Sequence, residues 1–264
     1  MGSLQVAQIR GIPIKIHVSL WLTAGLLVLQ WGPLGLPASL LLFGSVLLHE
    51  LGHAVVAQRL GVVIDGIHLH LLGGVALMKS APKRPSDELF IAAAGPLVSV
   101  ALAVMFGIAA WATGATLSVS HMAPIDLLAY GALLNAAMAL FNLIPALPMD
   151  GGRIFRALLV RRCGPVRATR YAARVSRVFG AAFVLTALVW GIWSLGLIGV
   201  LLLFMSRHEE RAVEIQEQLR VQDNLQKVLP YEPPFRPIVF PSLTPASTVF
   251  IDRYGRRIRI VRGR

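Results

Sequence analysis

Charge is scarce in this sequence. Only 14 % of its 264 residues are Asp, Glu, Lys or Arg, against about 25 % in an ordinary soluble domain. That shortage excludes a well-solvated surface over most of the chain. Acidic groups are the rarer sign, with 13 Asp and Glu against 25 Lys and Arg and a formal net charge of +12. Cysteine is reduced to one residue, Cys163 beside Arg161 and Arg162. No intrachain disulfide can therefore form, and no cysteine cluster can hold a metal. What fills the chain instead is apolar: 56 % of residues are hydrophobic and the mean hydropathy is +0.68. The implied class is an all-α polytopic membrane protein.

Apolar runs and their interruptions set the organisation. Residues 1–16, with Arg10 and Lys15, read as a cytosolic lead-in, and His17 to Trp31 as a first span. A basic lead before an apolar run resembles a signal peptide, but no small-x-small cleavage site follows cleanly, so the span is read as retained. Trp31-Gly32-Pro33-Leu34-Gly35-Leu36-Pro37 reverses the chain into a second span ending near Arg59-Leu60-Gly61. Residues 62–80 are β-branched and partly alternating, which predicts short strands around Gly73-Gly74. Leu89 to Ala112 is a third span and Asp126 to Ile144 a fourth, stopped by Pro145 and Pro148. Val178 to Met205 is long for one crossing; with Tyr171 to Val175 added, two short spans fit, broken near Gly191 to Gly196.

The tail, 209–264, is expected to form a small cytosolic unit beside the membrane core, 1–208. Glu209 to Leu229 reads as a helix, Pro230 to Pro245 as an extended linker, and Thr248–Ile251 with Arg257–Val261 as a basic hairpin. Attraction to anionic lipid is the simple reading of that basic end.

Lysine and arginine placement supports six spans. Two lie in residues 1–16, four between spans two and three, eight between spans four and five, and eleven after span six, which accounts for all 25. The three other loops have none. Positive charge collects on the cytosolic side, so both termini are expected in the cytosol. Topology thus explains the net charge, and no nucleic acid is expected as a partner.

Against this bareness stands His49-Glu50-Leu51-Gly52-His53 in the second span. On a helix, positions i and i+4 share a face, so two imidazoles can meet one metal ion. Glu50 can take a proton from the attacking water. Two histidines and a glutamate are costly inside lipid without a compensating partner. Zinc is the expected ion, one per chain, and it calls for a third protein ligand. Candidates are Asp150, His68, His70 and Asp65. Asp150 is the best of them, because Asp150-Gly151-Gly152 forms a turn at the cytosolic end of span four; the alternative is that Asp150 only caps the next helix. His68 and His70 would share one strand face, and a solvated pair is the better reading than a second metal site.

These pieces together resemble the site-2 protease family of intramembrane zinc metalloproteases. The resemblance rests on the H-E-x-x-H stretch and on Asn142-Leu143-Ile144-Pro145 through Asp150-Gly151. Ala94-Gly95-Pro96 and the Gly73-Gly74 region add to it. It implies His49, His53 and Asp150 as zinc ligands and Glu50 as the general base. It implies that Asn142 hydrogen-bonds substrate or oxyanion, with helix packing as the equal alternative. The Gly73-Gly74 strand would hold an unwound substrate by edge pairing. The substrate would be a transmembrane segment of another protein, with room for a regulatory membrane partner. The loops have no room for a PDZ-like insertion, and the tail is too short for paired cystathionine-synthase-type domains. Two rivals are a membrane metal transporter and a catalytically dead receptor. The first predicts polar residues along the bare spans, and the second a lost ligand or base.

Overall fold

The computed structural model describes residues 3–70, 73–82, 84–117, 123–228, 236–237, 247–251 and 257–261. The chain divides into two compact units, residues 1–213 and 214–264.

The first unit is mostly helical, but it is not all-α. Strands β1 (Ser3–Ile9) and β2 (Ile12–His17) occupy the stretch expected to be a lead-in. They join β3 (Ile64–His70) and β4 (Gly73–Met78) in a four-stranded sheet of order β1-β2-β3-β4. The β1–β2 hairpin turns through Arg10 and Gly11, both at positive φ. β2 pairs in parallel with β3, placing Ile14 beside Ile67, and β3 pairs antiparallel with β4. The chain between β2 and β3 crosses over through two helices, α1 (Ser19–Trp31) and α2 (Gly35–Arg59). That parallel pairing is non-local, so the period of residues 1–16 alone does not announce it.

The sheet is two-faced. Ile12, Ile14, Ile67 and Leu69 are buried against Phe43, Val46, Leu47 and Leu51 of α2. Each such burial contributes about 1.5–3 kcal/mol. α2 is thereby pinned lengthwise on the sheet. Its end is a Schellman turn: Gly61 N–H donates to the Gln58 carbonyl at 3.0 Å and Val62 N–H to the Ala57 carbonyl at 2.9 Å, with Gly61 left-handed. Buried Val62 then leads into β3.

The remaining helices of this unit are α3 (Pro85–Thr113), α4 (Leu127–Asn142), α5 (Asp150–Cys163), α6 (Pro165–Trp190) and α7, which starts at Trp193 and runs to Val228. α6 and α7 separate at Gly191, within the break expected from the sequence. Among the described residues, four segments are long and apolar enough to cross a membrane: Ser19–Arg59, Pro85–Thr113, Pro124–Asn142 and Pro165–Trp190. The first contains both α1 and α2. α1 has only 13 residues, roughly 20 Å of helix.

Polar contacts tie the bundle together. Asn135 on α4, wholly buried, donates to Ser45 Oγ on α2 at 2.9 Å, an interhelical bond suited to an apolar medium. Near the start of α3, Glu88 pairs with Arg156 of α5, and Glu210 of α7 pairs with Arg177 of α6 at 3.0 Å. Apart from Gly164, the whole arginine-rich stretch 153–177 lies in α5 and α6.

The second unit holds the end of α7 and a three-stranded antiparallel sheet, β5 (Arg236–Pro237), β6 (Ser247–Ile251) and β7 (Arg257–Val261). β6 and β7 form the expected antiparallel pair, with Phe250 opposite Ile258. Most of the proline-rich linker lies outside the described residues.

Candidate metal centre

α2 carries His49 and His53 one turn apart, both buried. Their rings lie edge to face, with centroids 4.9 Å apart, and Nε2 of one is 3.2 Å from Nε2 of the other. Asp150 reaches the same point from the first residue of α5. Its Oδ2 lies 3.2 Å from His49 Nε2 and 3.2 Å from His53 Nε2. Three donor atoms thus converge within 4.8 Å of one another. Two imidazoles and a carboxylate are a donor set that suits zinc and leaves a coordination position open.

Local sequence explains how Asp150 gets there. After α4 the chain folds back through Leu143 to Met149 and starts α5 at once. A Cβ on Gly151 would overlap the Leu143 carbonyl, and one on Gly152 would lie 2.5 Å from the Ala146 carbonyl carbon. Only glycine fits at either place, so Asp150-Gly151-Gly152 is a packing requirement as well as a turn. Leu147 N–H donates to the buried Ser176 Oγ of α6 at 2.6 Å, which anchors the turn from the far side.

α3 supplies the wall behind the two rings. Its Ile91 carbonyl accepts from His53 Nδ1 at 2.6 Å, and Ser99 Oγ lies 2.8 Å from His49 Nδ1. With both Nδ1 atoms engaged, both Nε2 atoms face the carboxylate. Between those two contacts sits Gly95. A Cβ there would overlap His53 Nε2 and stand 2.7 Å from His49 Nε2. This glycine keeps open the space that an ion between the donors needs, which is why the donor set and its surroundings fit zinc together.

Glu50 points to the sheet. Ala76 N–H of β4 donates to Glu50 Oε2 at 3.1 Å. Gly74 lies against it, since a Cβ there would stand 2.5 Å from Glu50 Cγ. Gly73 begins β4 at φ 125°, a conformation that favours glycine. Asn142 ends α4 half-buried, and among the described residues its side chain makes no hydrogen bond to the three donors. The other candidates lie elsewhere. His68 and His70 are on β3, and Asp65 pairs with Lys79 at 2.8 Å, which holds its carboxyl below the usual range. Ser99, Ile91, Ala76 and Ser176 were not anticipated. Positions 91, 95 and 99 do recur every fourth residue on α3, and Ala94-Gly95-Pro96, part of the family resemblance, marks the same helix.

Comparison with known proteins agrees with this geometry. Residues 37–118 and 113–185 match peptidase family M50, and the chain belongs to that family. It is 37 % identical over 227 residues to a zinc metalloprotease of Methanocaldococcus jannaschii, covering 81 % of this chain and 62 % of the relative. It is 31 % identical over 185 residues to stage IV sporulation protein FB of Bacillus subtilis, covering 70 % of this chain and 58 % of that protein. The site-2 protease from Methanocaldococcus jannaschii superposes with a TM-score of 0.60 at 36 % identity, covering 79 % of this chain and 95 % of the solved one. The chain thus spans about three fifths of the length of the curated relatives it matches. Family membership and the apolar helices together make it an integral membrane protein.

Proposed function

We propose that the chain is a zinc-dependent endopeptidase that hydrolyses a peptide bond in or near a transmembrane segment of another membrane protein. The observation that carries this reading is the meeting of His49, His53 and Asp150 from two distant helices, with Glu50 beside them. Metal transport is the weaker reading, because the relatives named above include zinc metalloproteases and spans one, three and five are nearly bare of polar groups.

His49, His53 and Asp150 hold the ion. Zinc in that place supplies a Lewis acid and brings the acidity of water toward neutral pH. Glu50 accepts the proton of the attacking water and delivers it to the leaving amine. β4 works beside it. β4 ends the sheet, and although Glu50 takes its Ala76 N–H, the edge beginning at Gly73 and Gly74 would pair with an extended peptide. A substrate helix has to unwind there, because a helical amide is occupied by its own ladder. Asn142 then orients the substrate backbone near the Asp150 turn.

The topology that supports this chemistry has six passes, α1, α2, α3, α4, α6 and α7, in a cell membrane. Both termini, including the tail 209–264, face the cytosol. The one-sided placement of all 25 lysines and arginines supports it. Glu50→Gln in the purified chain should leave zinc bound and abolish cleavage of a transmembrane substrate. Cleavage that persists removes the protease reading, and zinc flux into vesicles that survives the change favours transport.

A further inference from the structure

A neutral imidazole has one proton for two nitrogens. A ring that offers its Nε2 lone pair to an ion must carry that proton on Nδ1, and inside an apolar bundle the Nδ1–H needs an acceptor. For His53 the acceptor is the Ile91 carbonyl, which can only accept. For His49 it is Ser99 Oγ at 2.8 Å, on a side chain with no exposed surface. No other polar atom among the described residues contacts His49 Nδ1. Ser99 also stands one turn after Gly95, so the helix face that leaves space for the ion is the face that presents the hydroxyl.

We propose that Ser99 is a positioning residue of the metal centre: its hydroxyl accepts the His49 Nδ1 proton, fixes the ring and keeps the Nε2 lone pair turned to the ion. The two histidines are supported unequally. A backbone carbonyl sets the tautomer of His53 and no substitution at position 91 removes it. The tautomer of His49 depends on one side chain. Losing an outer partner of this kind costs about 10–100-fold in metal affinity.

This inference rests on His49 being a ligand, and the experiment separates the two. The full-length protein in lipid nanodiscs is titrated with zinc against a chelating competitor, and its cobalt(II) form is followed by visible absorption. Ser99→Ala should weaken zinc about 10–100-fold and shift the cobalt bands, while the metal-free protein remains folded. Ser99→Thr, which restores the hydroxyl, should bind close to the unsubstituted protein. Ser99→Cys, of similar size but a weaker acceptor, should fall between, and it carries the test if the added methyl of threonine prevents folding. His49→Ala should lose zinc outright. Ser99→Ala with unchanged affinity and an unchanged cobalt spectrum overturns the proposal, provided His49→Ala has lost the ion. If His49→Ala also binds normally, the ligand reading itself has failed.

Discussion

The carboxylate of Asp150 lies 3.2 Å from His49 Nε2 across 101 positions of sequence. Neither group would be stable there alone, since burying an ionised carboxylate without a partner is costly. In the proposed reading a zinc ion would complete the pair. Asp150→Ala should therefore reduce zinc affinity by at least about 100-fold, given the few ligands a zinc site has. Metal content by elemental analysis after dialysis measures this. Zinc should also raise the melting temperature of the unsubstituted chain, by about 4 kcal/mol of stability at a thousand times the dissociation constant, and at the same zinc concentration stabilise Asp150→Ala by no more than about 1.4 kcal/mol.

Gly95→Ala tests the space behind the rings. In an ordinary helix interior this change stabilises by roughly 0.5–1 kcal/mol. Here the added methyl would stand 2.7 Å from His49 Nε2. The expected result is a folded protein that holds little zinc and cleaves nothing. Full zinc occupancy in this variant would show that the ion needs no opening on α3.

Gly74→Ala separates chemistry from metal binding. Its Cβ would stand 2.5 Å from Glu50 Cγ and 3.1 Å from Val46 Cγ1, away from the three donors. Zinc content should remain normal, while turnover falls roughly 100-fold, as for a catalytic group misplaced by about an ångström. A turnover assay paired with elemental analysis reads both. Loss of zinc would mean that β4 supports the donors as well as Glu50.

Ser176→Ala would leave the buried Leu147 N–H without its acceptor. An unsatisfied buried donor costs about 1–3 kcal/mol. Thermal melting should show that loss in the metal-free protein. Zinc affinity should fall too, because the Leu143–Met149 turn delivers Asp150. Unchanged affinity would mean that Gly151 and Gly152 alone hold the turn.

The region around the donors was partly legible in advance. His49, Glu50 and His53 declare themselves because ionisable groups in an apolar run have few other uses. Asp150 could be ranked but not placed, since a turn after a helix suits a cap as well as a ligand. Ser99 and Gly95 carried no chemical label. A serine and a glycine in a small-residue helix look like packing, and only their approach to the imidazole nitrogens gives them meaning. The N-terminal strands were hidden for a related reason: a short, partly alternating stretch needs its partner before it reads as a strand, and that partner, β3, arrives only after two helices.

Composition and order along the chain settled what is local or additive: an apolar protein, long apolar helices, a pair of histidines on one helix face and a pair of strands near the end. Periodicity, hydropathy and charge act over a few residues, so the linear chain displays them. Tertiary structure alone decided that β2 lies parallel to β3, that α3 opens a space at Gly95, and that Asp150 turns inward to the rings. Those are contacts between segments far apart in the sequence, and their energies exist only once the segments have met.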